Sequence, residues 1–212
     1  MQRSWIGMDI LFYVLFPLII WYMGREWVGD YVSMLLTTVP GIIYTTIRFL
    51  VTRQFNVTGM ALMILMIVGS VIDLLSGSAL QMMWNDVWYG LILAGLLLGS
   101  ILIGKPVGYY FMLDISAYFG YQREWIKEML HHKRAFSLLQ LLTLLYGIKQ
   151  GSSSLVKAWM IDHFGVDGFN QILLVMKGWG WMFSLLISYI IYRLFRLIAS
   201  LAAEKQPLTS KY

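Results

Sequence analysis

The feature that most limits this chain is a series of long stretches without one charged residue. They run from Ile10 to Met23, Tyr31 to Ile47, Val57 to Ile72, Val87 to Gly104, Ala135 to Ile148 and Gly178 to Tyr192, with a shorter seventh from Pro106 to Leu113. A helix that crosses a bilayer needs about 20 mostly apolar residues, and fewer when charged neighbours snorkel. Extending each run past its flanking charges predicts spans near 6–24, 31–51, 57–76, 86–104, 135–159 and 172–196. The expected fold is all-α: a polytopic integral membrane protein, one domain over 1–200 built as a bundle of six transmembrane helices, then a polar tail over 201–212. Composition supports this. The chain is 59% apolar and 13% charged, against about half and about a quarter in soluble domains, and 212 residues cannot hide that surface from water without lipid.

The seventh run follows Gly104-Lys105-Pro106, a strong helix stop, and Asp114 interrupts it before it can span. Tyr109, Tyr110, Phe111, Tyr118, Phe119 and Tyr121 suit the headgroup level. Further on, Trp125, Ile126, Met129 and Leu130 share one helical face at i, i+3, i+4 spacing. Residues 107–134 are therefore expected to form an interfacial amphipathic segment between helices four and five. Its exposed side would be a membrane-surface patch of Tyr109, Tyr110, Arg123, Lys127, Lys133 and Arg134.

Orientation follows from Lys and Arg. With the N-terminus inside, the cytoplasmic pieces hold Arg3, Arg48, Arg53, Lys105, Arg123, Lys127, Lys133, Arg134, Arg193, Arg196, Lys205 and Lys211, twelve of the sixteen basic residues. Arg25, Lys149, Lys157 and Lys177 fall outside. Both termini are expected in the cytoplasm, and the net charge of +5 is a topology marker that asks for no nucleic-acid partner. No small-x-small cleavage site follows the first apolar run, so it is expected to remain as an uncleaved span.

Charges at membrane depth are candidates for function. Asp73 lies near the outer end of the third span, and Lys149 with Gln150 on the fifth. Either Asp73 and Lys149 pair, lining a substrate or ion pathway with Gln150, or each snorkels to water. Asp9 reads as interfacial. Pro40-Gly41 permits a kink in the second span, but the fifth has no matching Pro, as an inverted repeat would require. Gly95 with Gly99, and Gly147 with Gly151, have the spacing that lets helix backbones approach, within the chain or in a homodimer.

Catalytic signatures are few. HExxH, G-x-S-x-G and glycine-rich phosphate loops are missing from the sequence. Glu128-Met129-Leu130-His131 matches half of a di-iron motif whose other half is absent. His131 and His132 project about 100° apart on a helix and cannot share an ion. Zero cysteines exclude disulfides and thiolate chemistry. No enzyme activity, cofactor or metal is expected. Asn56-Val57-Thr58 is a formal glycosylation sequon on the predicted inner side.

Three short motifs carry a family resemblance: Arg53-Gln54-Phe55-Asn56 before the third span, Ser100-Ile101-Leu102-Ile103-Gly104-Lys105-Pro106 closing the fourth, and Phe169-Asn170-Gln171-Ile172 opening the last, which runs through Lys177-Gly178 to Arg193. In these the chain resembles the bacterial intracellular septation protein A family and its multi-helix relatives, over helices two to four and the last. The stretch from Lys105 to Ala135 is longer and more aromatic than that pattern. The resemblance implies a bacterial inner-membrane protein of envelope or cell-division upkeep, and it names no catalytic residues; with so little buried chemistry in the sequence, the expected role is structural or partner-binding, in the lipid bilayer with other membrane proteins or as a homodimer. The alternative is a small transporter or permease with its polar site near Asp73 and Lys149.

Overall fold

The computed structural model describes residues 8–52, 57–118 and 122–205, and among these residues the chain is helical, with no strand. Arg3, the Arg53-Gln54-Phe55-Asn56 motif, Phe119, Tyr121 and the tail beyond 205 lie outside the described residues. A π-helical turn over Leu11–Leu15 leads into α1 (Phe16–Thr52), followed by α2 (Val57–Leu75), α3 (Ala79–Leu102), α4 (Val107–Tyr118), α5 (Arg123–Leu130), α6 (Lys133–Phe164) and α7 (Phe169–Lys205). Among the described residues, four apolar helical stretches are long enough to cross a membrane: Met8–Val51, Thr58–Leu75, Ala79–Leu102 and Phe169–Leu201. Along α2 the side chains of Leu62, Ile64, Ile67, Leu74 and Leu75 are exposed, the arrangement expected of a helix solvated by lipid.

The first stretch is 44 residues long, twice what a bilayer needs, and it does not run straight. Gly29 interrupts α1 at φ 78°, ψ 169°, a region that only glycine occupies without strain. Side chains on either side of it then meet. The Tyr44 hydroxyl donates to Asp9 Oδ1 at 2.7 Å, Tyr13 Oη and Thr45 Oγ1 are 2.6 Å apart, and Ser33 Oγ donates to the Ile20 carbonyl. In a continuous helix, Asp9 and Tyr44 would be separated by about 50 Å. The chain doubles back at Gly29, giving two arms in place of one continuous helix.

Other boundaries shift. The helix expected to begin near 86 begins at Ala79, where the Ser78 hydroxyl accepts from the Gln81 N–H at 3.2 Å, the action of an N-cap. The one expected to end near 159 continues to Phe164. That helix, α6, is outside the four membrane-length apolar stretches, because Gln140, Lys149, Gln150, four serines and Lys157 dilute its hydropathy.

The chain divides into two compact units, one of residues 1–90 with 154–178, the other of 91–153 with 179–212. In the first, Trp21, Met34, Met82, Met83, Ile161 and Ile172 are buried. In the second, the 107–134 segment departs from expectation. Ile126 and Leu130 of α5 pack with Met112 and Leu113 of α4, Ala135 and Leu139 of α6, and Leu194 and Ile198 of α7. The apolar face expected to meet headgroups is covered by protein, since α4 and α7 give it a closer apolar partner than lipid. The Gly104-Lys105-Pro106 stop is where the sequence puts it. Gly104 takes φ 70°, and the Lys105 N–H donates to the Ser100 carbonyl at 2.9 Å, closing the C-terminus of α3.

Candidate functional site

Within the first unit, a cavity of about 420 Å³ is bordered by both arms of α1, by α2 and α3, and by the neighbouring ends of α6 and α7. Two prolines shape its wall. Pro17 has no N–H to offer the Tyr13 carbonyl and its ring crowds that carbonyl. The turn before it is widened, with the Phe16 N–H donating to Leu11 O, a π geometry often found at functional sites. Tyr13 is carried on that turn into the cavity lining. Opposite it, Pro40 deprives the second arm of another hydrogen bond. Met34, Thr37, Thr38, Gly41 and Thr45 all line the cavity, on one face at helical spacing. A Cβ on Gly41 would stand 3.3 Å from the Tyr13 ring, so glycine lets the ring lie against the arm. Lys177 Nζ is 5.5 Å from the centre of that ring, a cation–π distance.

The other polar part of the lining is ionic. Lys157 Nζ donates to Asp86 Oδ2 at 2.6 Å, with side chains 19% and 42% exposed. Asp73 lines the same cavity, its charged neighbours are Asp86 and Lys157, and its Oδ1 is buried without a hydrogen-bond partner. The end of α2 that carries Asp73 is pinned from two sides. The Tyr31 hydroxyl donates to the Leu74 carbonyl at 2.8 Å, and Asn85 Nδ2 donates to Ser76 Oγ at 2.8 Å. Beyond the cavity, Arg25 joins Asp30 across the Gly29 turn at 2.6 Å and also binds Asp167, while Trp21 packs on Phe169 of the cavity lining.

Of the sequence-derived candidates, Asp73 alone is in this site. Lys149 and Gln150 belong to the second unit and do not line the cavity. The residues that sequence reasoning passed over are Asp86, Lys157, Lys177 and the α1 hydroxyls. Depth along the helices was the missing signal. Asp86 and Lys157 each sit seven residues from a helix end, about 10 Å, while Lys149 is about twice as far in.

The two glycine pairs behave differently. Gly147 and Gly151 face α3, where a Cβ would come within 2.8 Å of Leu98 and 3.5 Å of Ala94, whereas Gly95 and Gly99 meet nothing within 4 Å. In the expected surface patch, Tyr110, Arg123, Lys127, Lys133 and Arg134 are exposed and Tyr109 is half-buried. Arg123 has a further role, 3.7 Å from Asp114, whose side chain is 6% exposed. Asp9 binds Arg48 at 3.0 Å. Among the described residues, no group of three or more His, Cys, Asp or Glu is placed to hold a metal ion.

Comparison with protein-family models, with curated proteins and with solved structures finds no match to this chain.

Proposed function

We propose that this is an integral membrane protein that binds a small polar solute in the α1–α3 cavity and carries it across a bacterial inner membrane, with both termini in the cytoplasm. In this reading the two arms of α1 and the long helix α6 are separate crossings, which restores six. The observation that carries it is the cavity itself. It has room for roughly a dozen waters at ~30 Å³ each, falls in the ~300–1,000 Å³ range of ligand sites, and is lined by two carboxylates, two ammonium groups and several hydroxyls. Such groups are costly at membrane depth and are kept there for solutes, ions or protons. The wall is also built from proline-interrupted helix, the kind of backbone that lines transporter sites.

The natural absence of cysteine makes the test direct. Thr38→Cys, a single thiol in the cavity wall, is exposed to a membrane-impermeant thiol reagent in right-side-out and in inverted vesicles. Labelling from both sides is expected. A thiol that reacts from neither side in native membranes refutes the reading.

A second reading, a partner-binding role in envelope upkeep in line with the septation-family resemblance, is favoured by one observation, the open Gly95 and Gly99 surface. A disulfide between two copies of a Gly99→Cys variant in the membrane would support it, and a monomer under oxidation would count against it.

A further inference from the structure

At the ionic end of the cavity two carboxyl groups, Asp73 and Asp86, lie within hydrogen-bonding reach of one another beside the ammonium group of Lys157, so a proton shared between them or an added cation is needed to balance their charge. Lys157 is committed to Asp86 at 2.6 Å, and Asp73 Oδ1 has no partner. A buried carboxylate oxygen left unpaired is destabilising, and a donor brought by a ligand removes that cost. Lys177, the other ammonium in the lining, stands over the Tyr13 ring.

The rest of the wall says what kind of cation fits. Calcium prefers a shell of about six to eight oxygens and magnesium about six, at short range, and among the described residues no group of three or more His, Cys, Asp or Glu is placed to hold a metal ion. Instead the lining holds Phe12, Phe169 and the thioethers of Met34, Met66, Met82 and Met176, polarizable groups that accommodate irregular apolar bodies and attract cations through aromatic faces. The volume far exceeds that of a bare ion.

We infer that the solute is a small organic ammonium ion, its charged end bound by Asp73 beside the Asp86–Lys157 pair and its apolar body against the Met and Phe wall. This rests on the solute-binding reading and names its substrate class. A primary ammonium brings three donors, enough to satisfy Asp73 Oδ1 and reach Asp86, where it competes with Lys157 as an equal.

The test uses the full chain carrying Thr38→Cys in lipid nanodiscs, with the rate of maleimide labelling as readout. Butylammonium and phenethylammonium are the probes, each compared with its neutral alcohol, 1-butanol or 2-phenylethanol, and with sodium chloride at equal concentration. At least one ammonium is expected to slow labelling fivefold or more while its alcohol and sodium do not. Adding Asp73→Asn should weaken that protection at least tenfold, and adding Lys149→Gln, outside the cavity, should leave it unchanged. Equal protection by the alcohol or by sodium, protection by no ammonium, or full protection in Asp73→Asn each overturns the ammonium assignment. The comparison of ammonium with alcohol needs no charge variant, so a poorly folding Asp73→Asn chain does not block it. Two-sided labelling that persists alongside a failed ammonium arm refutes the substrate class alone, whereas a thiol that is never labelled refutes solute access itself.

Discussion

Replacing Gly108 with alanine should unseat α4 from α6. Gly108 lies in the first turn of α4, where backbone N–H groups lack helical acceptors, and its N–H donates to Thr143 Oγ1 on α6 at 2.9 Å. Thr143, 1% exposed, passes the bond on by donating to the Leu139 carbonyl at 2.9 Å. An added Cβ would stand 2.8 Å from Thr143 Oγ1 and 3.0 Å from the Leu139 carbonyl oxygen, while ordinary C···O contacts lie near 3.3–3.6 Å. The helices must separate by about half an ångström. Losing the capping bond costs about 1 kcal/mol and the forced repacking about 1–3 kcal/mol, for a total of roughly 2–4 kcal/mol. In detergent-solubilised protein this is a fall in Tm of roughly 5–12 °C, followed by tryptophan fluorescence or scanning calorimetry. Thr143→Val at the same site removes the acceptor without adding bulk, and should cost about 1–3 kcal/mol for the unpaired N–H. A Gly108→Ala protein that melts within a degree of the parent would show that α4 and α6 do not approach at this point, and the reasoning would fail.

Three further outcomes are expected. Gly29→Ala places a side chain at φ 78°, ψ 169° and should destabilise by about 1–3 kcal/mol; an unchanged Tm would mean the arms turn differently. Gly147→Ala, crowded by Leu98, should cost about 1–3 kcal/mol, whereas Gly95→Ala and Gly99→Ala should be neutral or up to about 1 kcal/mol stabilising through helix propensity; thermal melts in detergent rank the three, and the reverse order would contradict the packing. Lys157→Gln should be more disruptive than the double change Asp86→Asn with Lys157→Gln, because the single change strands a carboxylate; a coupling of about 1–3 kcal/mol in a double-mutant cycle on Tm is expected, and additivity would argue against the pair.

Much of the helical architecture was legible because charge-free runs and helix stops are local properties. Gly104-Lys105-Pro106 ends α3 as its chemistry requires, and the charges Arg25 and Asp30 bracket the turn between the first two expected spans. The errors came from tertiary facts. The face of α5 is amphipathic by spacing alone, and nothing in that spacing distinguishes a lipid surface from the flanks of α4 and α7. Asp73 was legible as a membrane-depth charge, whereas the pairing of Lys157 with Asp86 was not, because the two residues are 71 apart in the chain and only the packing of α3 with α6 brings them together. The α1 hydroxyls were invisible for another reason. Thr37 and Thr45 donate to the carbonyls of Met34 and Gly41, the local bonding found on any apolar helix, and only the fold gives them a cavity.

The tight turn at Gly29 also bears on how the protein is made. Arms joined by one non-helical residue cannot be threaded into a bilayer independently, since the second must start back as soon as the first emerges. In the proposed topology they would enter as a closed pair, with Arg25, Glu26 and Asp30 crossing together and the Arg25–Asp30 contact partly neutralising what has to be translocated. The choice of side is then made once for both arms. A change at the N-terminus that reversed the first arm would reverse the second with it, and with them the face of the membrane to which Arg25 belongs.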